Sequence, residues 1–214
     1  MGKAVVALAG TLDTKGVEYA FVKEEIEKFG CEVLVIDTSV IGESPLEADI
    51  KKEEVAKCGG VELSEFAARV EGDTRVRANK AMSDGLAVIL KRLVSEGKID
   101  AALGMGGTGG TDSLSAAFRQ LPLEFPKMLV VTDIAGLNSI SRVVLSTAAH
   151  AAVGMANGYA ETKKMTEKSN PLIGITMWGV TTPFVMKMRE ILEAKGFDVV
   201  IFHAVGEGAA MEEL

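Results

Sequence analysis

Gly104-Met105-Gly106-Gly107-Thr108-Gly109-Gly110-Thr111 places five glycines within eight residues. An apolar run, Ile99-Asp100-Ala101-Ala102-Leu103, leads into it as a strand would, and a helical pattern over 112–120 leads out. Glycines let a backbone take positive φ and approach a ligand with no Cβ in the way. The following helix adds unpaired N–H groups and the positive end of its dipole, so the junction suits a phosphate cradled by Gly106, Gly107, Thr108, Gly109, Gly110 and Thr111. A tight turn without a ligand is the plainer alternative. Gly104-x-Gly106-x-x-Gly109 is also a dinucleotide fingerprint, and Asp133 ends the next strand, where a ribose-binding carboxylate is expected. The overlapping phosphate-loop spelling carries Gly110 where a lysine would stand, which argues against a P-loop hydrolase.

Lys15, in Gly10-Thr11-Leu12-Asp13-Thr14-Lys15-Gly16, could supply that missing charge. Parallel strands deliver the loops at their carboxyl ends to one edge of a sheet, so residues 11–15, the glycine stretch and Asp133 are expected to converge. Asp13 or Thr14 would either cap the first helix or, with Thr11, assist Mg²⁺ or ribose binding. Asp133 is likewise a ligand group or a cap. Arg75 and Arg77 could reach a phosphate, although surface arginines are usually less specific. Further along, Trp178, Thr181, Thr182, His203, Gly206 and Gly208 are candidates. Thr182 as a cap with Pro183 at the first helical position explains that turn without a ligand. No Ser-His-Asp or Cys-His arrangement and no carboxylate pair stands out.

The elements that must position these groups follow from periodicity. Ala4-Val5-Val6-Ala7-Leu8-Ala9 is a continuous apolar run, as in a parallel strand covered on both faces. A helix with Tyr19, Val22, Ile26 and Phe29 at helical spacing follows and stops at Gly30. Glu32-Val33-Leu34-Val35-Ile36-Asp37 is the second strand, which completes a strand–helix–strand unit. Residues 38–76 interrupt the rhythm with Pro45, Gly59, Gly60 and Gly72 and short helical pieces over 51–57 and 64–70, and read as an insertion at one edge. A helix over 79–96 feeds the strand before the glycines. Lys127-Met128-Leu129-Val130-Val131-Thr132 is another strand, 142–145 a short one, and 147–164 an Ala-rich helix. After a linker at 166–171, a strand at 172–177, a helix over 182–195 and a strand at 199–202 repeat the opening unit. The expectation is an α/β protein: a Rossmann-like, mainly parallel sheet over 1–168 with helices on both faces. The beginning of a second, incomplete Rossmann-like domain follows over 171–214. The strands of the first sheet are all expected to be inner ones.

Composition narrows the function classes. A net charge of −7 offers no broad basic surface for nucleic acid. No apolar run reaches the length of a membrane span. Cys31 and Cys58 form no metal motif, and with two histidines a zinc site is not expected. Reduced thiols fit a cytoplasmic protein.

The motifs together resemble those of a family. Gly10-Thr11-Leu12-Asp13-Thr14-Lys15, the glycine stretch and Asp133-Ile134-Ala135-Gly136-Leu137-Asn138 carry the resemblance in the first part. Ile175-Thr176-Met177-Trp178-Gly179-Val180-Thr181-Thr182-Pro183 and Phe202-His203-Ala204-Val205-Gly206 carry it in the second. The family is the one that contains the ATP-binding N-terminal region of the tomato mosaic virus resistance protein. That resemblance implies two Rossmann-like subdomains, ATP as the ligand, and self-association, with a dimer expected. It supplies no reaction, so three readings stand: an ATP-binding protein of unassigned chemistry, a non-catalytic module whose assembly the nucleotide gates, and an NAD(P)-dependent oxidoreductase.

Overall fold

The computed structural model describes residues 2–66, 72–131, 136–163 and 170–205. Val5–Gly10 (β1), Leu12–Lys28 (α1) and Glu32–Asp37 (β2) form the first unit, as the apolar runs and helical spacing require. Residues 38–50 then return beside the sheet edge, where Ile36 bridges Ile50 in parallel. Lys52–Cys58 (α2) and a 3-10 turn at Leu63–Phe66 follow. Gly72–Ser95 (α3) leads to Ala101–Gly106 (β3), Thr108–Phe118 (α4), Lys127–Val131 (β4) and Ser139–Thr162 (α5).

The four strands pair in parallel in the order β2-β1-β3-β4. The fold is therefore α/β with a parallel sheet. The expectation that all four strands are inner fails for two of them: β2 and β4 are the edges of this sheet among the described residues. Helices cover both faces. On one, Ala7, Ala9 and Ala102 pack with residues of α2, α3 and α4, including Val55, Met82, Leu86 and Leu114. On the other, Val6, Leu8, Leu103 and Met105 pack with Tyr19, Val22 and Ile26 of α1 and Leu145, Ala149 and Ala152 of α5. Alternate strand residues point to opposite faces, so the small residues fall on one side and let α3 and α4 lie close to the sheet. Backbone approach is closest between α2 and α3. A Cβ at Gly85 would lie 1.9 Å from the Val55 carbonyl oxygen, and one at Gly59 would lie 2.0 Å from that of Ala81.

Several boundaries differ from the sequence reading, each for a physical reason. β3 runs on through Gly104 and Gly106, so the connection to α4 is Gly107 alone. None of the glycines between 104 and 110 has positive φ. Their value is close approach: a Cβ at Gly104 would lie 2.9 Å from Leu129 Cδ2 and 3.0 Å from Leu114 Cδ1. α3 begins at Gly72 rather than at 79, which takes Arg75 and Arg77 out of the insertion and into the helix. Residues 142–145, read as a strand from Val143 and Val144, belong to α5. Asn138 Oδ1 accepts the Ile140 and Ser141 N–H groups at 2.9 Å each and fixes the start of that helix ahead of the β-branched pair.

Close contacts divide the chain into two units, 1–160 and 161–214. The second holds Leu172–Met177 (β5), Thr182–Glu193 (α6) and Asp198–His203 (β6), with β5 and β6 paired in parallel from Leu172 opposite Asp198 to Met177 opposite His203. Thr181 is the residue before α6 and Thr182 its first residue, so the cap lies one position earlier than expected.

Candidate functional site

The sheet order creates the site. From β1 the chain passes to β2 on one side and returns to β3 on the other, so the segments leaving β1 and β3 diverge at their carboxyl ends and leave a crevice. Residues 11–15 leave β1 at this point, and Gly107 to Gly110 leave β3. The Tyr19 hydroxyl ties the two strand ends together from beneath. It accepts the Met105 N–H at 2.9 Å and lies 2.7 Å from the Ala9 carbonyl oxygen and 2.6 Å from that of Met105, between which its one proton is shared. Burial raises its pKa well above the ordinary phenol value, so the group stays protonated. Gly10 must lack a side chain here, because a Cβ would lie 1.7 Å from Tyr19 Oη.

Three helices open at this edge, and their first turns are satisfied differently. At α1, Leu12 N–H donates to Asp37 Oδ1 at 3.4 Å and Asp13 N–H donates to Ser39 Oγ at 3.0 Å. Ser39 in turn donates from its N–H and its hydroxyl to Asp37 Oδ1, at 2.9 and 2.5 Å. The caps of α1 therefore come from the end of β2, and neither Asp13 nor Thr14 serves as one. Thr14 Oγ1 instead donates to Thr11 at 3.3–3.4 Å. At α5, Asn138 caps, and Ser141 Oγ accepts the Asn138 N–H at 2.8 Å in return. At α4 the cap position is Gly107, and no side chain among the described residues caps the N–H groups of the first turn. The first intrahelical bond runs from Thr111 N–H to the Gly107 carbonyl at 2.9 Å. The N–H groups of Thr108, Gly109 and Gly110 precede it and have no intrahelical acceptor.

That open helix end faces a cleft of about 560 Å³. Thr11, Asp13, Thr14 and Lys15 form one side, and Gly107, Thr108, Gly109 and Gly110 another. α3 supplies a third wall through Arg75, Asn79, Met82, Ser83 and Leu86, spaced along one helical stripe. At 24 residues α3 is about 36 Å long, against about 20 Å for a six-residue strand, so its first turns overhang the strand ends. Val40 and Ile41 complete the lining, and with Met82, Leu86 and Leu114 they give the cleft an apolar surface beside its polar one.

Nine of the sequence-selected residues, Arg75 among them, thus meet in one cleft. Gly106 and Thr111 do not line it. Gly106 is buried in β3, where a Cβ would lie 3.2 Å from the Gly110 and Thr111 backbone, and Thr111 Oγ1 donates back to the Gly106 carbonyl at 3.2 Å. Asp133, Gly206 and Gly208 lie outside the described residues. Asn79 and Ser83 were not foreseen. The helical stripe that carries them holds Met82 and Leu86 as well, and reads in sequence as ordinary core packing.

The charges are arranged around the helix end. Lys15 Nζ lies 3.8 Å from Glu18 Oε1, and that same oxygen accepts the Gly136 N–H at 2.7 Å. Glu18 is buried, so Lys15 is held at the cleft by a carboxylate with little water around it. Arg75 Nη2 would lie 3.5 Å from a Cβ at Gly109. Among the described residues no group of three or more His, Cys, Asp or Glu could hold a metal ion by itself.

The chain was compared with known proteins. The "Uncharacterised protein family (UPF0261) N-terminal domain" matches residues 4–132 and 128–161, and the C-terminal domain of the same family matches 170–214. The chain belongs to the UPF0261 family. A UPF0261 protein of Clostridium tetani is 40% identical, over 100% of this chain and 57% of the relative. In tomato, the ToMV resistance protein Tm-1(GCR237) is 34% identical and the ToMV susceptible protein tm-1(GCR26) 32% identical, each over 96% of this chain and 32% of the relative. The chain thus spans little more than half of the bacterial relative and about a third of the tomato proteins. UPF0261 membership confirms the family whose motifs this sequence resembles. No helix among the described residues is long and apolar enough to cross a membrane.

Proposed function

We propose that the cleft binds an adenine nucleotide, with ATP as the ligand that the family resemblance implies. The observation that carries this reading is the first turn of α4. Its residues line the cleft, its first N–H groups have no intrahelical acceptor and no side-chain cap among the described residues, and it holds glycine at two consecutive positions. Nothing lies within 4 Å of a Cβ at Gly110, and only Arg75 lies that near a Cβ at Gly109. Fold packing therefore does not demand glycine at either position, whereas a phosphate approaching the N–H groups does. Lys15 offsets the phosphate charge. The apolar patch of Val40, Ile41, Met82, Leu86 and Leu114 suits a base. Mg²⁺, where the nucleotide brings it, would find Asp13 and the Thr11 and Thr14 hydroxyls beside the phosphates.

Calorimetry with ATP, AMP and NAD tests the reading. ATP is expected to bind, and Gly110→Ala to reduce its affinity by tenfold or more in a folded protein. NAD binding tighter than ATP would move the assignment to an oxidoreductase. Unchanged ATP affinity in Gly110→Ala would remove the α4 turn from the site.

A further inference from the structure

The phosphate end of the cleft holds a second cation, on a different wall from Lys15. Arg75 is on the first turn of α3, in the overhang beyond the strand ends, and its Nη2 reaches over Gly109. Several other arginines of the chain are placed otherwise. Arg77 Nη2 lies 3.9 Å from Glu65 Oε2, Arg92 donates to Glu54 at 3.1 Å, Arg189 pairs with Glu193 at 2.6 Å, and Arg142 stacks over the Phe21 ring at 5.2 Å. Arg75 has no carboxylate within 4.0 Å among the described residues, although Asp73 and Asp84 lie on the same helix. An arginine that meets no carboxylate among the described residues, above a helix N-terminus with no side-chain cap among them, is a fork-shaped donor set suited to an oxyanion.

We propose that Arg75 is a specificity-determining residue that reads the length of the polyphosphate. The α4 N–H groups and Lys15 hold the phosphates nearest the strand ends, as any nucleotide of this class would require. Arg75 stands farther out, on the overhang, so it meets only a chain long enough to pass Gly109. Nucleoside triphosphates are then selected over monophosphates by contacts from two walls, one from the β1–α1 turn and one from α3. Because the contact bridges α3 and α4, a triphosphate also fastens the first turn of α3, which a monophosphate leaves unfastened. This inference rests on the nucleotide reading.

The experiment measures the affinity of wild type, Arg75→Gln and Arg75→Lys for ATP, ADP, AMP and inorganic tripolyphosphate. Amide hydrogen exchange of residues 73–79 is followed in parallel. In Arg75→Gln, ATP and tripolyphosphate are expected to weaken by about tenfold or more, with AMP changed less than twofold. Arg75→Lys keeps the charge without the fork and is expected to fall between. ATP, and not AMP, slows exchange at 73–79 in wild type, and this protection is lost in Arg75→Gln. Equal losses for ATP and AMP, or ATP bound undiminished by Arg75→Gln, overturn the inference while leaving the nucleotide reading in place. A wild type that binds neither ATP nor tripolyphosphate overturns both.

Discussion

Single residues carry the sharpest tests. Gly109 and Gly110 occupy the first turn of α4 at ordinary helical φ, with room for a methyl group. Alanine is the better helix residue by up to about 1 kcal/mol, so each substitution is expected to raise the melting temperature slightly, by roughly 1–3 °C. On the proposed function, the same substitutions are expected to weaken ATP binding. A gain in stability with a loss of affinity is the signature of glycine kept for a ligand; a parallel loss of both would mean that the turn needs glycine for packing. Tyr19 makes a different prediction. Its folded pKa lies above the ordinary value of 10.0, so above that pH the unfolded chain releases a proton that the folded chain keeps. Its contribution is full below pH 10 and falls as pH rises, by up to about 1.4 kcal/mol per unit. Urea titrations of wild type and Tyr19→Phe are expected to converge between about pH 9 and pH 11. At neutral pH the variant is less stable by about 1–3 kcal/mol, because Met105 N–H loses its acceptor.

Elements show what could be read from the sequence and what could not. The apolar runs at 4–9, 32–37, 99–103 and 127–132 read as strands, and each holds one of the four, buried throughout β3 and, after Val5, in β1, but only half-buried over 127–130 of the edge strand β4. Their ends were less legible. Gly104 and Gly106 were read as loop because glycine weakens strands, yet the crowding of Leu114, Leu129 and Phe118 over Gly104 keeps that stretch in the sheet. The polar start of α3 offers only the exposed Val76 as an apolar residue before Ala78, so its first two turns carry no helical signal, although Arg75 was already a candidate for a phosphate. At 142–145 the β-branched pair favoured a strand, and the Asn138 cap outweighed it. Packing between elements yields its own prediction. Gly85→Ala pushes a methyl group into the Val55 carbonyl, where backbone on both sides has to move. It is expected to destabilise the protein by about 1–3 kcal/mol or more, measured by urea unfolding. Gly154→Ala, on an exposed stretch of α5 with nothing within 4 Å, is the control and is expected to be neutral or stabilising.

At the scale of the whole molecule, the two units differ in what they bury. The first encloses both faces of a four-stranded sheet between helices, and large side chains such as Tyr19, Phe125 and Leu8 are fully buried there. The second has two strands and one helix, and among its described residues only Met177 and Val185 fall in the buried hydrophobic class. Leu172 and Phe184 are each 66% exposed and Val180 92%. A two-stranded sheet with a single helix buries too little apolar area to offset the conformational entropy of roughly 40 ordered residues. A peptide of residues 170–214 is therefore expected to show no cooperative thermal transition. A chain of residues 1–162 is expected to unfold cooperatively at nearly the melting temperature of the full chain. The outer edges of β5 and β6, unpaired among the described residues, and the exposed apolar residues of this unit also favour self-association. Sedimentation of the full chain is expected to show mass rising with concentration, and removal of 170–214 to abolish that rise. A cooperative transition in the isolated peptide as a monomer would show that the second unit folds by itself, and the argument from its exposed surface would fail with it.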